Sequence, residues 1–112
     1  MTICHCTDCQ TLSGTAFRTV VQTAEDGFTL LSGEPKIYIK TGSSGAKRIQ
    51  SFCAECGSPF YSTSVGDGPK IYNIRLGTVR QRDELSPKVQ IWSRSAQHWL
   101  GDLDKVDKIE QQ

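Results

Sequence analysis

The distribution of cysteine constrains this chain more than any other feature. Three of its five cysteines lie in the stretch CHCTDC, which runs from residue 4 to residue 9. The other two lie in the stretch CAECG, at residues 53–57. In a reducing compartment, closely spaced cysteines are more often metal ligands or reactive groups than structural disulfides. The two clusters therefore predict metal or thiol chemistry, and five thiols are one more than a closed zinc site uses.

Size and charge narrow the class of protein. A chain of 112 residues predicts a single domain over residues 1–112, with a charged and flexible tail from about residue 102. The 13 basic and 12 acidic residues give a net charge of +1, which favours neither nucleic acid nor an anionic membrane as partner. No apolar run approaches the roughly 20 residues of a membrane helix, and residues 1–20 carry no secretion signal. We therefore expect a cytoplasmic protein that binds a small molecule.

The secondary structure is predicted to be almost entirely β. Short runs of β-branched and aromatic residues alternate with Gly, Pro and Ser turn signals, whereas a sustained helical period is absent apart from a possible turn near residues 95–100. The candidate strands cover residues 16–22, 28–31, 36–40, 47–52, 59–63, 70–76 and 88–92. Strands at intervals of about ten residues indicate a small sandwich or a twisted pair of sheets.

The Cys53/Cys56 pair is the most specific local motif. Two thiolates three positions apart can reach one metal ion when the backbone makes a tight turn, and Gly57 can adopt the positive φ that such a turn requires. The pair lies between two candidate strands, as a zinc knuckle at a hairpin tip would. The alternative is a thioredoxin-like redox pair, but that motif opens a helix in a βαβ unit, which this sequence lacks.

The first cluster allows two arrangements. Side chains 4 and 6 point to the same side of an extended chain, and a turn over residues 7 and 8 can return Cys9 to them. Three thiolates would leave a tetrahedral zinc ion with one open position, as in a catalytic site. Alternatively, Cys4 and Cys6 complete a closed structural site with Cys53 and Cys56, and Cys9 is a buried apolar residue. Spacing does not separate the two, although it slightly favours the closed site.

Three side chains are candidates for proton transfer. His5 lies inside the first cluster, but alternation points it away from Cys4 and Cys6. Asp8 can orient a zinc-bound water, although an Asp at such a position more often caps a turn. His98 lies beside Trp99 and can line a pocket or pack in the interior. The arginines at positions 18, 48, 75 and 94 are expected mostly on solvated strand faces, with one or two available for a ligand carboxylate.

Several short motifs occur in a specific order along the chain. They are CHCTDCQ, SGTAF at residues 13–17, LSGEPKIY at 31–38, KRIQSFCAECGSPFY at 47–61 and SPKVQIWSRSAQHWL at 86–100. This order resembles the glutathione-dependent formaldehyde-activating enzyme family, to which the domain of centromere protein V also belongs. The resemblance extends from Cys4 to Leu100.

The resemblance implies a tent of antiparallel sheets with zinc between them. It implies a catalytic zinc at Cys4, Cys6 and Cys9, and a second, structural zinc held by Cys53 and Cys56 together with a Cys-x-Cys pair on an earlier strand. Nothing precedes Met1 in this sequence, so the expectation is that this strand is missing, through a late start or the loss of one ligand pair. The second site would then need other ligands, such as Cys4 and Cys6, or the domain would fold without metal.

Three functional hypotheses follow. The leading one is a zinc-dependent carbon–sulfur lyase that acts on an adduct of glutathione or another small thiol. The alternative is a non-catalytic, zinc-stabilised β domain that binds a small ligand or a protein partner. The third is a thiol redox or metal-buffering protein, which predicts low thiol pKa values. A missing edge strand also predicts self-association into a homo-oligomer, because it exposes unpaired backbone groups.

Overall fold

The computed structural model describes residues 1–112 and consists of seven strands with few helices. The strands are β1 (Thr2–Cys4), β2 (Arg18–Ala24), β3 (Lys36–Thr41), β4 (Lys47–Phe52), β5 (Pro59–Ser64), β6 (Ile71–Arg75) and β7 (Val89–Ile91). A single α-helix, α1, covers Thr7–Ser13. Short 3-10 turns cover Glu25–Gly27, Leu76–Thr78, Arg82–Glu84, Ser93–Ser95 and Leu100–Lys105. No helix has the length and apolar character that a membrane span needs.

All seven strands belong to one sheet, in the order β3-β4-β5-β6-β2-β1-β7. Every neighbouring pair is antiparallel except β1 and β7, which run parallel. The all-β class is therefore confirmed. The strands form one continuous hydrogen-bonded sheet, however, where the sequence indicated a sandwich or a pair of sheets.

Most candidate strands are present, but the one over residues 28–31 is wrong. Phe28 leaves the sheet because its ring stacks on Tyr72 at a centroid distance of 4.3 Å and meets the edge of Tyr61 at 5.0 Å. This aromatic packing outweighs the strand propensity of a short apolar run. Strand β1 and helix α1 were not predicted, since the dense cysteines hide the pattern of both elements.

Most of the buried residues are polar or charged. Eight residues are buried, and only Cys4 and Val20 among them are hydrophobic. The six polar or charged ones are His5, Arg18, Ser51, Ser62, Thr63 and Arg75. Buried polar groups are costly unless they are paired, so this interior indicates a functional site within it.

Long side chains reach across the face of the sheet that bears Arg18. Gln50 on β4 accepts a hydrogen bond at 3.4 Å from Arg18 on β2, although β5 and β6 lie between these strands. Three strand spacings in a flat sheet amount to about 14 Å. An extended arginine and a glutamine side chain can together span this distance, so the contact crosses the two intervening strands.

Candidate metal centre

Helix α1 brings Cys6 and Cys9 together. Cys6 occupies the N-cap position with extended backbone angles (φ −61°, ψ 153°), and its Sγ accepts the backbone N–H of Cys9 at 3.3 Å. A cap side chain normally satisfies one of the free N–H groups of the first turn, and here sulfur does so. The sequence predicted a turn over residues 7 and 8, and the structure places the first turn of a helix there.

The three thiols of the first cluster converge. Cys4 lies at the end of β1, and the sulfur atoms of Cys4, Cys6 and Cys9 all lie within 4.8 Å of one another. Sulfurs about 2.3 Å from one tetrahedral ion are about 3.8 Å apart. A movement of about one ångström therefore lets all three bind one ion. The soft donor set fits a metal such as zinc.

The second pair of cysteines does not join this cluster. No other group of three or more His, Cys, Asp or Glu side chains in the structure can hold a metal ion. The closed arrangement of Cys4 and Cys6 with Cys53 and Cys56 is thus not formed. The geometry instead matches the three-thiol arrangement, which leaves one position of a tetrahedral ion for water or a ligand.

The protons of the cluster are held tightly when no metal is bound. Burial raises the pKa of Cys4, and burial followed by hydrogen bonding with the neighbouring thiols raises the pKa of Cys9 to about 12. These two thiols are therefore protonated at neutral pH, and a metal ion must displace their protons to bind.

The Cys53/Cys56 pair lies at the tip of the hairpin between β4 and β5. The Cys53 N–H donates to Ser58 O at 2.8 Å, and the Gly57 N–H donates to Cys53 O at 3.0 Å, with Gly57 at φ 76°. Cys56 is exposed, and a hydrogen bond with the Ser58 hydroxyl lowers its pKa. The turn has the form of a knuckle, but it offers only two thiols.

The cluster opens on a cleft through Cys6. This cleft has a volume of about 840 Å³, and Asp8, Lys40, Arg48 and Trp92 are among its lining residues. The Asp8 carboxylate is half exposed and lies 3.5 Å from the Lys40 ammonium. Trp92 adopts a left-handed backbone (φ 56°), which is uncommon for a bulky residue and typical of functional sites. The cleft thus places two cations and one carboxylate beside a cluster thiol.

Comparison with known families agrees with this geometry. A sequence model of the glutathione-dependent formaldehyde-activating enzyme family matches residues 1–95. The chain belongs to this family. A search of curated proteins found no significant match. The match to the formaldehyde-activating family includes all five cysteines and every residue that lines the cleft.

The two histidines occupy very different places in this formaldehyde-activating family member. His5 is buried, with 2% of its surface exposed, and its Nε2 lies 2.7 Å from Gln90 Oε1. The ring meets the edge of Phe17 at 5.7 Å, while Nδ1 has no partner. His98 is exposed and does not line the cleft.

Gln10, which the sequence analysis did not identify, connects the segments around the cysteine cluster by hydrogen bonds. The side-chain amide of Gln10 on α1 donates to His5 O at 2.7 Å and to Ser95 O at 3.0 Å, and its oxygen accepts from Gln97 at 2.8 Å. The contacts with Ser95 and Gln97 tie α1 to the loop after β7, and the contact with His5 ties it to the segment before the helix. No motif marks such a glutamine, because two of its three partners, Ser95 and Gln97, are more than 80 residues away in sequence.

The expectation of solvated arginines is wrong for two of them. Arg18 and Arg75 are buried, with 6% and 8% of their surfaces exposed. Both donate to the same atom, Gln50 Oε1, at 3.4 Å from Arg18 Nη1 and 2.7 Å from Arg75 Nη2. The strand pattern assigned these positions to a solvated face, but the strand register places both arginines on the face that bears the buried Cys4.

Proposed function

We propose that this chain is a zinc-dependent carbon–sulfur lyase-type enzyme that acts on an adduct of glutathione or another small thiol. The observation that carries the proposal is the convergence of Cys4, Cys6 and Cys9 beside an open cleft. Membership of a glutathione-dependent formaldehyde-activating family supports the substrate class. When bound, zinc would supply a Lewis acid that lowers the free energy of a thiolate or polarises an oxygen.

The reaction requires one proton to move. Joining a thiol to formaldehyde forms a C–S bond, and the proton lost by sulfur ends on the former aldehyde oxygen; the lyase direction reverses both changes. Asp8 is the best placed of the three candidates because it lines the cleft and remains partly exposed. His5 is buried against Gln90 and His98 lies elsewhere on the surface, so we assign proton transfer to Asp8.

Lys40 and Arg48 contribute two positive charges to the lining of the cleft. The Lys40 ammonium lies 3.5 Å from the Asp8 carboxylate and positions that side chain at the cleft. Arg48 adds a second positive charge that can attract an anionic ligand into the cleft. The loop over residues 41–46 forms one wall, and Trp92 lies among the other lining residues.

The test is turnover of a thiol adduct. We would follow the exchange between glutathione, formaldehyde and their hydroxymethyl adduct by NMR exchange spectroscopy with zinc-loaded protein. Cys6→Ser should abolish the enzyme-dependent exchange with the fold retained, whereas Thr11→Ala, exposed on the same helix, should leave it unchanged. Unchanged exchange in Cys6→Ser would refute the proposal.

The second candidate is a non-catalytic, zinc-stabilised β domain that binds a small ligand or a protein partner. The polar interior favours it, because only two of eight buried residues are hydrophobic and a metal would supply stability that the core lacks. Metal-loaded protein that neither binds glutathione nor accelerates exchange would select this function. A thiol redox role is less well supported, since the pKa values of Cys4 and Cys9 are raised.

The cellular setting and the assembly are part of the proposal. None of the five cysteines is in a disulfide, which supports a reducing cytoplasm. We also propose a homo-oligomer, because β3 is an edge strand whose Ile37, Tyr38 and Ile39 side chains are about half exposed. An exposed apolar edge strand can pair with a second copy.

A further inference from the structure

Two buried positive charges have no carboxylate partner. Arg18 and Arg75 are each more than nine-tenths buried. The three ion pairs in the structure all involve lysines, and Asp8 is already paired with Lys40. Buried charges are normally paired, because removing a lone charge from water is costly. The two arginines therefore need negative charge that the carboxylates of the chain do not supply.

The hydrogen bonds of the pair are also incomplete. A guanidinium group has five N–H donors, and the side-chain acceptor shared by both groups is one oxygen atom of Gln50. Arg75 Nε is buried without any partner. Burial, and then the neighbouring charge of Arg18, lower the pKa of Arg75 to about 10. Arg75 is still charged at neutral pH.

The cysteine cluster supplies only part of the missing negative charge. Cys4 is directly opposite Arg18 across β1 and β2, so their side chains share one face of the sheet. A divalent ion on three thiolates has one net negative charge, whereas the two guanidinium groups have two positive charges. One positive charge remains when the fourth position of the ion holds water or a neutral thiol, and a monoanion such as a carboxylate matches that charge.

Free space lies beside these donors. A cavity of about 440 Å³ is lined by Arg18, Gln50 and Ser51 among others. A second cavity, of about 360 Å³, is lined by both Arg18 and Arg75. Arginine is well suited to such a site because its planar fork matches two carboxylate oxygens.

From these observations we infer that Arg18 and Arg75 bind the carboxylate of a small thiol ligand next to the cysteine cluster. The claim that the arginines bind a carboxylate rests only on their buried, unpaired charge and on the adjoining cavities. The thiol part rests on the proposed function, because it assumes that the ligand's sulfur reaches the metal. The site would distinguish thiols that bear a carboxylate from those that do not.

The first experiment tests the anion site without any thiol. Acetate and its neutral analogue acetamide would be titrated into zinc-loaded protein while the arginine Nε–H signals are followed by NMR. Saturable shifts of the Arg18 and Arg75 signals with acetate, and none with acetamide, are expected. Absence of such shifts, or much tighter binding of inorganic phosphate than of acetate, would overturn the carboxylate assignment. Neither outcome depends on whether the protein is a lyase.

The second experiment tests the link to the metal. Affinities of the zinc-loaded protein for 3-mercaptopropionate and 3-mercaptopropionamide would be measured by calorimetry. We expect a preference for the acid of about tenfold or more, the effect of a charge-assisted hydrogen bond. Arg75→Lys retains the charge but loses the fork and should reduce the preference, while Arg80→Gln, at an exposed arginine, should not. If the wild-type protein bound the acid and the amide equally well but still bound acetate, the claim that the ligand is a thiol would be contradicted and the carboxylate site would stand.

Discussion

The carboxamide of Gln50 is the single acceptor that two buried guanidinium groups share. If it were replaced by an apolar side chain of similar size, Arg18 and Arg75 would lose this partner while they remain buried. Gln50→Leu should therefore lower the free energy of unfolding by about 2–4 kcal/mol, because hydrogen bonds to charged groups are among the strong ones. Urea unfolding measures this change.

A matched control is available on β2. Gln22 donates to Asn73 at 2.9 Å in an exposed position, so Gln22→Leu should cost less than about 1 kcal/mol. Equal losses for the two substitutions would show that the Gln50 contacts are not special.

The raised pKa of Cys9 predicts how metal-free protein responds to pH. Burial and the neighbouring thiols raise this pKa to about 12, whereas an unfolded cysteine titrates near 8.5. Between these values the unfolded chain has lost the proton that the folded chain retains, so stability falls as pH rises. The contribution of the protonated Cys9 thiol to stability is fully present below about pH 8.

Chelated protein should accordingly unfold at lower urea concentrations at pH 10 than at pH 8. Cys9→Ala should reduce this pH dependence, since it removes the thiol whose pKa is raised to about 12 in the folded protein. A midpoint that is constant or rises over this range in the wild-type protein would show that the Cys9 thiol is not held in its protonated form.

At the scale of the elements, α1 positions two of the three cluster thiols, and its end depends on one glycine. Gly14 adopts φ 68° and its N–H donates to Gln10 O at 2.9 Å. A side chain in this left-handed conformation is strained. Gly14→Ala should destabilise the protein by about 1 kcal/mol and weaken metal binding, as measured by unfolding and by competition with a chelating dye.

Gly101 is the comparison for this substitution. It does not have a positive φ, and an added methyl group would contact nothing within 4 Å. Gly101→Ala should therefore change neither stability nor metal affinity, and a loss equal to that of Gly14→Ala would argue against the backbone explanation.

The elements also show what the sequence can and cannot predict. The hairpin from β3 to β4 and the knuckle were predictable because alternation, turn glycines and Cys-x-x-Cys spacing are local signals. The clustering of Cys4, Cys6 and Cys9 was considered, but the helix that produces it was not, because an N-cap cysteine is not a standard start signal. The burial of Arg18 and Arg75 depends on the pairing of strands that are distant in sequence, which local patterns do not reveal.

As a whole, the molecule is more open than a typical domain of its length. Its radius of gyration is 15.3 Å, whereas a compact chain of this length has about 13 Å. One continuous sheet with a polar interior leaves many apolar side chains exposed, including Leu31 and Ile109. Metal binding and association with a second copy are the two contributions to stability that this shape favours.

Self-association should depend on the β3 edge. Light scattering after size-exclusion chromatography is expected to show a dimer or larger species whose population rises with protein concentration. Ile37→Lys places a charge on the exposed edge and should shift the protein towards monomer. A wild-type protein that is strictly monomeric at high concentration would contradict this prediction.

The central claim of this account is that Cys4, Cys6 and Cys9 form a metal centre that does not use the knuckle cysteines. The most direct measurement is zinc per chain, by native mass spectrometry of protein purified without chelator, in the wild type and in Cys9→Ser. The account predicts a bound zinc ion that is lost in Cys9→Ser. Zinc that survives this substitution undiminished would indicate a closed site of Cys4, Cys6, Cys53 and Cys56, and absence of zinc from both proteins would equally contradict the account.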